Sequence, residues 1–247
     1  MNDALQALAP AAAAGSVHAL AELYCGLERR EAMRKVLELY AEIRASLTPG
    51  MDHSVAHQRL DWWQHEALRL QRGEPAHPLT RWLAARQHAR GAPLPALLPL
   101  VQATALALAA APLSARDERQ AYYEAGTGTL FVLLSAVLSD GPQPDASTLR
   151  ALGGCAQQLL AGGEDGPEPA RVRQLLVKLG ADAQPALVPL LVWLALAHWR
   201  GSRGEIAPPE RAPGGRYALW SQNFAAWRVA RAALRGQFGW PPGQRMA

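Results

Sequence analysis

No stretch of this chain alternates apolar and polar residues with the β-branched enrichment of a strand, and Ala, Leu and Arg dominate throughout. That combination admits helices and little else. Proline and glycine then cut the chain into segments of helical length. Ser16 caps a predicted helix through about Leu27, and a second runs from Glu28 to Leu47 before Pro49-Gly50 stops it. Asp52 caps the next, ending at Gly73, and Pro78 opens another that ends at Gly91. A helix from Pro95 to Ala111 is expected to bend at Pro99. Ser114 with Asp117 makes a capping-box-like start to a long helix reaching Ser139, and Asp145 caps one to about Ala161. GGEDGPEP at 162–169 reads as a loop, with helices near 170–180, 182–200 and 217–236. The segment 201–215 reads as a flexible connector inside one domain, since a single helix follows it. The expectation is an all-α, single-domain helical bundle over residues 1–247.

At 247 residues and 49% hydrophobic composition, the chain can bury a real core and is not a disordered one. Twenty-five basic residues stand against 21 acidic ones, and the arginines are scattered between Leu and Ala. With no dense basic run, a nucleic-acid partner is not expected; slight attraction to an anionic surface is. Two cysteines, Cys25 and Cys155, lie far apart without metal-ligand spacing, which fits a reducing compartment. Residues 1–15 carry Asp3 and no Lys or Arg, so they read as an amphipathic or frayed end and not as a signal peptide. The most apolar run, Pro185 to Ala197, is interrupted by Pro189 and is shorter than the ~18 residues of a membrane span. The chain is expected to be cytoplasmic, with at most peripheral contact with a membrane.

Helical geometry sorts the candidate residues. On the 28–47 helix, Met33, Val36, Leu37, Tyr40, Ile43 and Leu47 share one apolar sector, with Arg44 inside it and Arg30 at its edge. An inward arginine reads either as a snorkelling or ion-paired side chain or as an anion contact. The 52–73 helix has a second stripe of Ala56, Leu60, Trp63, Ala67 and Leu70, with Trp62 pointing away from it. His53, His57, Asp61 and His65 follow at four-residue spacing, but the row drifts about 40° per step and reads as a solvated face, not a metal site. The glycines of AGTG (125–128) are read as permitting close helix packing or a kink. No Gly-x-Gly-x-x-Gly, P-loop or Gly-x-Ser-x-Gly occurs in a supporting context, so nucleophilic catalysis has no support in the sequence.

Four segments in order carry a resemblance: LYAEIR (39–44), RLDWWQHEALRLQRGEPAHPLTRWLAA (59–85), YYEAGTG (122–128) and ALGGCAQQL (151–159). Together they resemble the squalene/phytoene synthase family, the 59–85 segment most specifically. The resemblance implies an isoprenoid synthase-like fold around a central apolar cavity. In that family two aspartate-rich motifs hold magnesium, which binds the diphosphates of two prenyl chains joined head to head. It also implies that Tyr40, Arg44, Trp63, Tyr122 and Gln158 line the pocket, with Arg30 and Arg44 as anion contacts.

The sequence departs from the family where the aspartates belong. After LYAEIR the chain reads Ala45, Ser46, Leu47, Thr48, Pro49, Gly50, with Leu47 expected to face inward in place of a carboxylate. Glu38 and Glu42 project opposite the apolar stripe, and Asp52 lies beyond the break. After Gln158 and Leu159 come Leu160, Ala161, Gly162, Gly163, Glu164 and Asp165, and the residue four beyond Asp165 is Pro169. No catalytic or metal-binding residue is therefore assigned. The family has members lacking the clamps, among them an accessory factor for assembly of respiratory complex I. The reading is accordingly a non-catalytic binding or assembly protein, with an isoprenoid or other apolar ligand or a protein partner. An active prenyltransferase using magnesium on Glu164 and Asp165 is the alternative, and an apolar-ligand carrier a further one. Trp220, Phe224, Trp227, Arg228 and Arg231 of the last helix form either a partner or membrane face or a surface docked on the bundle.

Overall fold

The computed structural model describes residues 16–110, 113, 115–141, 143–162, 166–202 and 215–241, with the backbone alone for 215–220. Among these residues every regular element is a helix. In chain order they are α1 (Val17–Glu22), α2 (Leu27–Arg44), α3 (His53–Gln71), α4 (Pro78–Ala89), α5 (Leu98–Leu108), α6 (Arg116–Tyr123), α7 (Thr129–Leu138), α8 (Ala146–Ala161), α9 (Pro169–Leu179), α10 (Val188–Gly201) and α11 (Gly215–Ala233). A 3₁₀ turn, Ala45–Leu47, ends α2, and a π-helical turn, Glu124–Gly128, joins α6 to α7. The expected caps of 1–15, Ser114 and most of the 201–215 connector lie outside the described residues.

Capping side chains set several of these boundaries. The Asp52 carboxylate accepts the amides of Ser54 and Val55 at 2.8 and 3.2 Å, and Asp145 accepts those of Ser147 and Thr148 at 3.3 and 3.0 Å. At the start of α6 it is Glu118 that reaches back to the Ala115 amide, 3.2 Å away. Two expected helices begin late. Pro99 and Pro189 sit in the first turns of α5 and α10 instead of bending a longer helix, because a residue without an N–H costs nothing at that position. α1 stops short of Leu27, since Gly26 is the N-cap of α2.

α10 is the axis of the bundle. Every residue from Leu187 to Ala197 is buried, as expected of a helix apolar on all sides, and it packs on α1, α8 and α11. α8 in turn touches α6, the π turn, α7, α9 and α10. Residues Arg116–Leu138 have the length and apolarity of a membrane span, yet 67% of the apolar stretch is buried inside the protein. They are a core helix. The far end of α7 is held by α4: Arg86 donates to the Val137 carbonyl, Gln87 to that of Ala136, and Arg90 to those of Ala136 and Ser139, at 2.9–3.1 Å. Asp140, paired with Arg90 and Arg29, closes that corner. Cations and amides here satisfy carbonyls that the helix terminus leaves open.

Glycine makes close helix contacts, as AGTG suggests. A Cβ on Gly128 would lie 2.5 Å from the Arg150 carbonyl oxygen, and one on Gly153 would lie 2.6 Å from that of Thr127 and 2.7 Å from the Gly128 Cα. Both neighbours are backbone and cannot swing aside. In an ordinary helix Gly→Ala gains about 1 kcal/mol from propensity. Here Gly153→Ala is expected to lower stability by about 2–3 kcal/mol in thermal or urea melts, the cost of overpacking. Gly141→Ala, with nothing within 4 Å of the added carbon, is expected to be near neutral.

Candidate functional site

The inward stripe of α2 is buried from Met33 to Ile43 and brings Tyr40 into the interior. Arg44, one turn on, occupies the last turn, where a cation offsets the partial negative charge of a helix C-terminus. Its guanidinium carbon lies 5.7 Å from the centre of the Tyr40 ring. Tyr122 enters from α6, two residues before the π turn, and Arg44 interacts with both phenols. Thr127, within the π turn, donates to Gln157 Oε1 of α8 at 3.0 Å, and both are buried. π turns are over-represented at functional sites because the extra residue re-aims the side chains beside it. Three elements thus converge on one polar group inside an apolar bundle.

Electrostatics keep that group asymmetric. Burial pushes the Tyr40 phenol above its ordinary pKa, and Arg44 offsets this only in part. Burial also works against charge on Arg44, but the tyrosine oxygens outweigh it and raise its pKa, so it stays a cation. The buried Tyr40 hydroxyl interacts with both Thr127 and Arg44. At the start of the π turn, Glu124 accepts from Gln120 at 2.7 Å and pairs with Arg171 at 3.0 Å, tying α6 to α9.

The other sequence-derived residues lie outside this group. Trp63 is buried in the α3–α4 corner, its ring 5.1 Å from Trp62 and 4.9 Å from His77. Gln158 is half-buried on α8, while its neighbour Gln157 is the one bonded to Thr127. Arg30 is half-buried in the first turn of α2 and reaches the Cys25 carbonyl at 3.4 Å. A separation of fourteen residues puts Arg30 and Arg44 about 21 Å apart along the helix, too far to hold one anion between them. Leu47 departs from expectation: the 3₁₀ turn advances each residue by about 120° instead of 100°, leaving Leu47 half-buried and Ser46 buried.

Carboxylates do not gather at the site. Glu38 and Glu42 are exposed on the far face of α2, Glu42 beside Arg59 at 3.7 Å. The Asp52 carboxylate is taken up by its helix cap. Glu164 and Asp165 lie outside the described residues. Among the described residues no three His, Cys, Asp or Glu side chains are grouped to hold a metal ion. In the His53–His65 row, His53 and His57 touch through Nε2 atoms 3.2 Å apart, while His65 Nδ1 meets the Asp61 carbonyl at 2.8 Å. Burial raises both thiols above their ordinary range, Cys155 to about 11, so neither is a nucleophile near neutral pH.

Three residues with specific roles escape a sequence reading. Thr127 and Gln157 gain theirs only from the π turn. Glu66 carried a signal, because it falls in phase with Leu60, Trp63, Ala67 and Leu70 on the buried side of α3. Fully buried, it accepts from the Ala76 and His77 amides at 2.9 Å, from Arg69 at 2.7 Å and from the Thr80 hydroxyl. One carboxylate thereby holds the turn into α4. Compared with known proteins, the chain matches no family model, no curated protein and no solved structure.

Two expected outcomes follow from these buried groups. Burial pushes the Glu66 pKa up, but bonds from Thr80, His77, Arg69 and Ala76 outweigh it and hold it below the usual carboxylate range. Its contribution is present above the unfolded-state pKa and disappears as pH falls through the folded one. Glu66→Gln sets an NH₂ donor against donors and is expected to cost about 3 kcal/mol in urea melts at neutral pH. His18, buried edge-on against Trp193 at 4.1 Å, is pushed down to about 4 by burial and by Arg200. It folds as a neutral ring, so stability is complete above about pH 6.5 and falls by roughly 3 kcal/mol as pH drops to 4. His18→Phe is expected to flatten the stability–pH curve between those values.

Proposed function

We propose that this chain is a non-catalytic relative of the squalene/phytoene synthases. On this reading it keeps an isoprenoid synthase-like bundle to bind an isoprenoid, or a comparable apolar molecule with an anionic head. The observation that carries the reading is the Arg44 cation held beside the Tyr40 and Tyr122 phenols inside an apolar bundle. A phosphate or carboxylate head accepts from a guanidinium and from phenols, and each charge-assisted bond gains strength away from water. Tyr122 supplies a second phenol beside Arg44.

Magnesium chemistry asks for carboxylates converging on one point. The described ones near α2 do not fit that demand: Glu38 and Glu42 face outward, and Asp52 is engaged by its own helix. No departure of diphosphate is therefore assigned to a metal clamp, and the residues named here bind and orient only. A role in assembly of another complex is compatible with the same scaffold, with the ligand site then regulating it.

The test is incubation of the purified protein with farnesyl or geranylgeranyl diphosphate and Mg²⁺. Saturable binding without diphosphate release is expected, weakened roughly tenfold to a hundredfold by Arg44→Gln, the loss of a bond to a charged group. Metal-dependent turnover would replace this reading with an active prenyltransferase. Absence of binding would leave the scaffold without its ligand and sink the proposal.

A further inference from the structure

The last helix presents two apolar faces. Gln222, Ala226, Val229, Ala230 and Ala233 are buried against the bundle. On the opposite side Phe224, Trp227 and Leu234 stand 52%, 44% and 61% exposed, among the exposed arginines Arg228, Arg231 and Arg235. At about 100° per residue these outward residues fill a sector of roughly 120°, with Leu234 and Trp227 along one edge and Arg235 and Arg228 along the other. Phe224 stacks on Trp227 at 5.8 Å, and the Arg231 guanidinium lies 4.9 Å from the Trp227 ring. A helix face meant only for water has no reason to carry an exposed Phe–Trp stack and a leucine.

Charge says what covers it. After Glu210 the sequence holds Arg211, Arg216, Arg228, Arg231, Arg235 and Arg245 and no Asp or Glu. The whole chain carries a net +4, so the part before this tail is slightly negative and the positive charge is concentrated here. Among the described residues none of Arg228, Arg231 and Arg235 pairs with a carboxylate. The Tyr24 hydroxyl donates to the Asn223 carbonyl at 3.2 Å, fastening to this helix a turn whose Leu23 and Leu27 are also exposed.

We infer that α11 docks this protein on an anionic lipid bilayer, lying in the plane of the headgroups. Trp227, Phe224 and Leu234 then enter the acyl boundary while the arginines meet lipid phosphates. Aromatic rings favour that depth, and arginine pairs with phosphate through parallel hydrogen bonds. A lipid surface offers phosphate wherever an arginine falls, which suits cations mixed with aromatics better than an acidic protein groove would. This face is independent of the Arg44 site, and the inference stands whether or not that site binds an isoprenoid.

Sedimentation of the full chain with vesicles tests it, using phosphatidylcholine alone and phosphatidylcholine mixed equally with phosphatidylglycerol. Binding to the anionic vesicles is expected, falling as salt rises. The variant R228Q/R231Q/R235Q is expected to bind roughly a hundredfold more weakly, following the usual contribution of a basic residue near such a surface. The variant F224S/W227S is expected to lose retention at low salt as well. Both should melt at the parent temperature, because the substituted side chains are exposed. Equal sedimentation with both vesicles, or with neither, would overturn the inference. So would a dimer in light scattering that F224S/W227S dissolves, which would assign the face to a second copy.

Discussion

The approach of the α6–α7 helix to α8 is the contact on which the rest of the bundle hangs. Backbone meets backbone at Gly128 and Gly153, closer than any Cβ allows. That closeness lets α8 touch five neighbours at once and leaves α10 beside it, wholly enclosed. The π turn belongs to the same arrangement. Its extra residue lies where the two helices are nearest and sends Thr127 toward Gln157. Without the glycines α8 would stand off, and the polar group around Arg44 would lose the wall that Thr127 and Gln157 provide.

Several polar groups taken into the interior are compensated by many partners. Glu66 is fully buried and fully bonded, and it does mechanical work by holding the turn into α4. Arg86, Gln87 and Arg90 spend their donors on the open carbonyls of α7. Both ring nitrogens of His18 lack such a partner, as do the Ser46 and Thr129 hydroxyls and the Trp193 indole nitrogen. Tyr40 stands beside a cation at the meeting of three elements, whereas His18 lies between α1 and α10, where burial keeps it neutral. The first arrangement suits recognition of an oxygen-rich head, and the second makes the packing of α1 sensitive to acid.

Much of this was legible from the chain alone. The all-α class followed from missing strand patterns, and helices α3, α4 and α8 from Asp52, Pro78 and Asp145 with the glycines beyond them. The outward position of Glu38 and Glu42 followed from helical projection and agrees with their exposure. Tyr40, Arg44 and Tyr122 lie in segments that carry the family resemblance, and the structure brings these three together. Trp63 lies in such a segment too but sits in the α3–α4 corner, because its stripe meets a neighbour that periodicity alone does not identify.

Local chemistry is what the sequence determines by itself: which segments coil, where caps and prolines begin or stop them, and which face of each is apolar. Those depend on residues within a few positions of one another. Tertiary structure alone decided the rest. The π turn, the 3₁₀ end of α2 that buries Ser46 in place of Leu47, and the choice of Gln157 as partner to Thr127 arise from packing between distant segments. A shift of tens of degrees in helical phase there costs little locally and is settled by which arrangement fills space and satisfies buried donors. The phase of Tyr40 and Arg44 on their shared helix could be read from the sequence; helical phase alone does not bring Tyr122 of α6 to them.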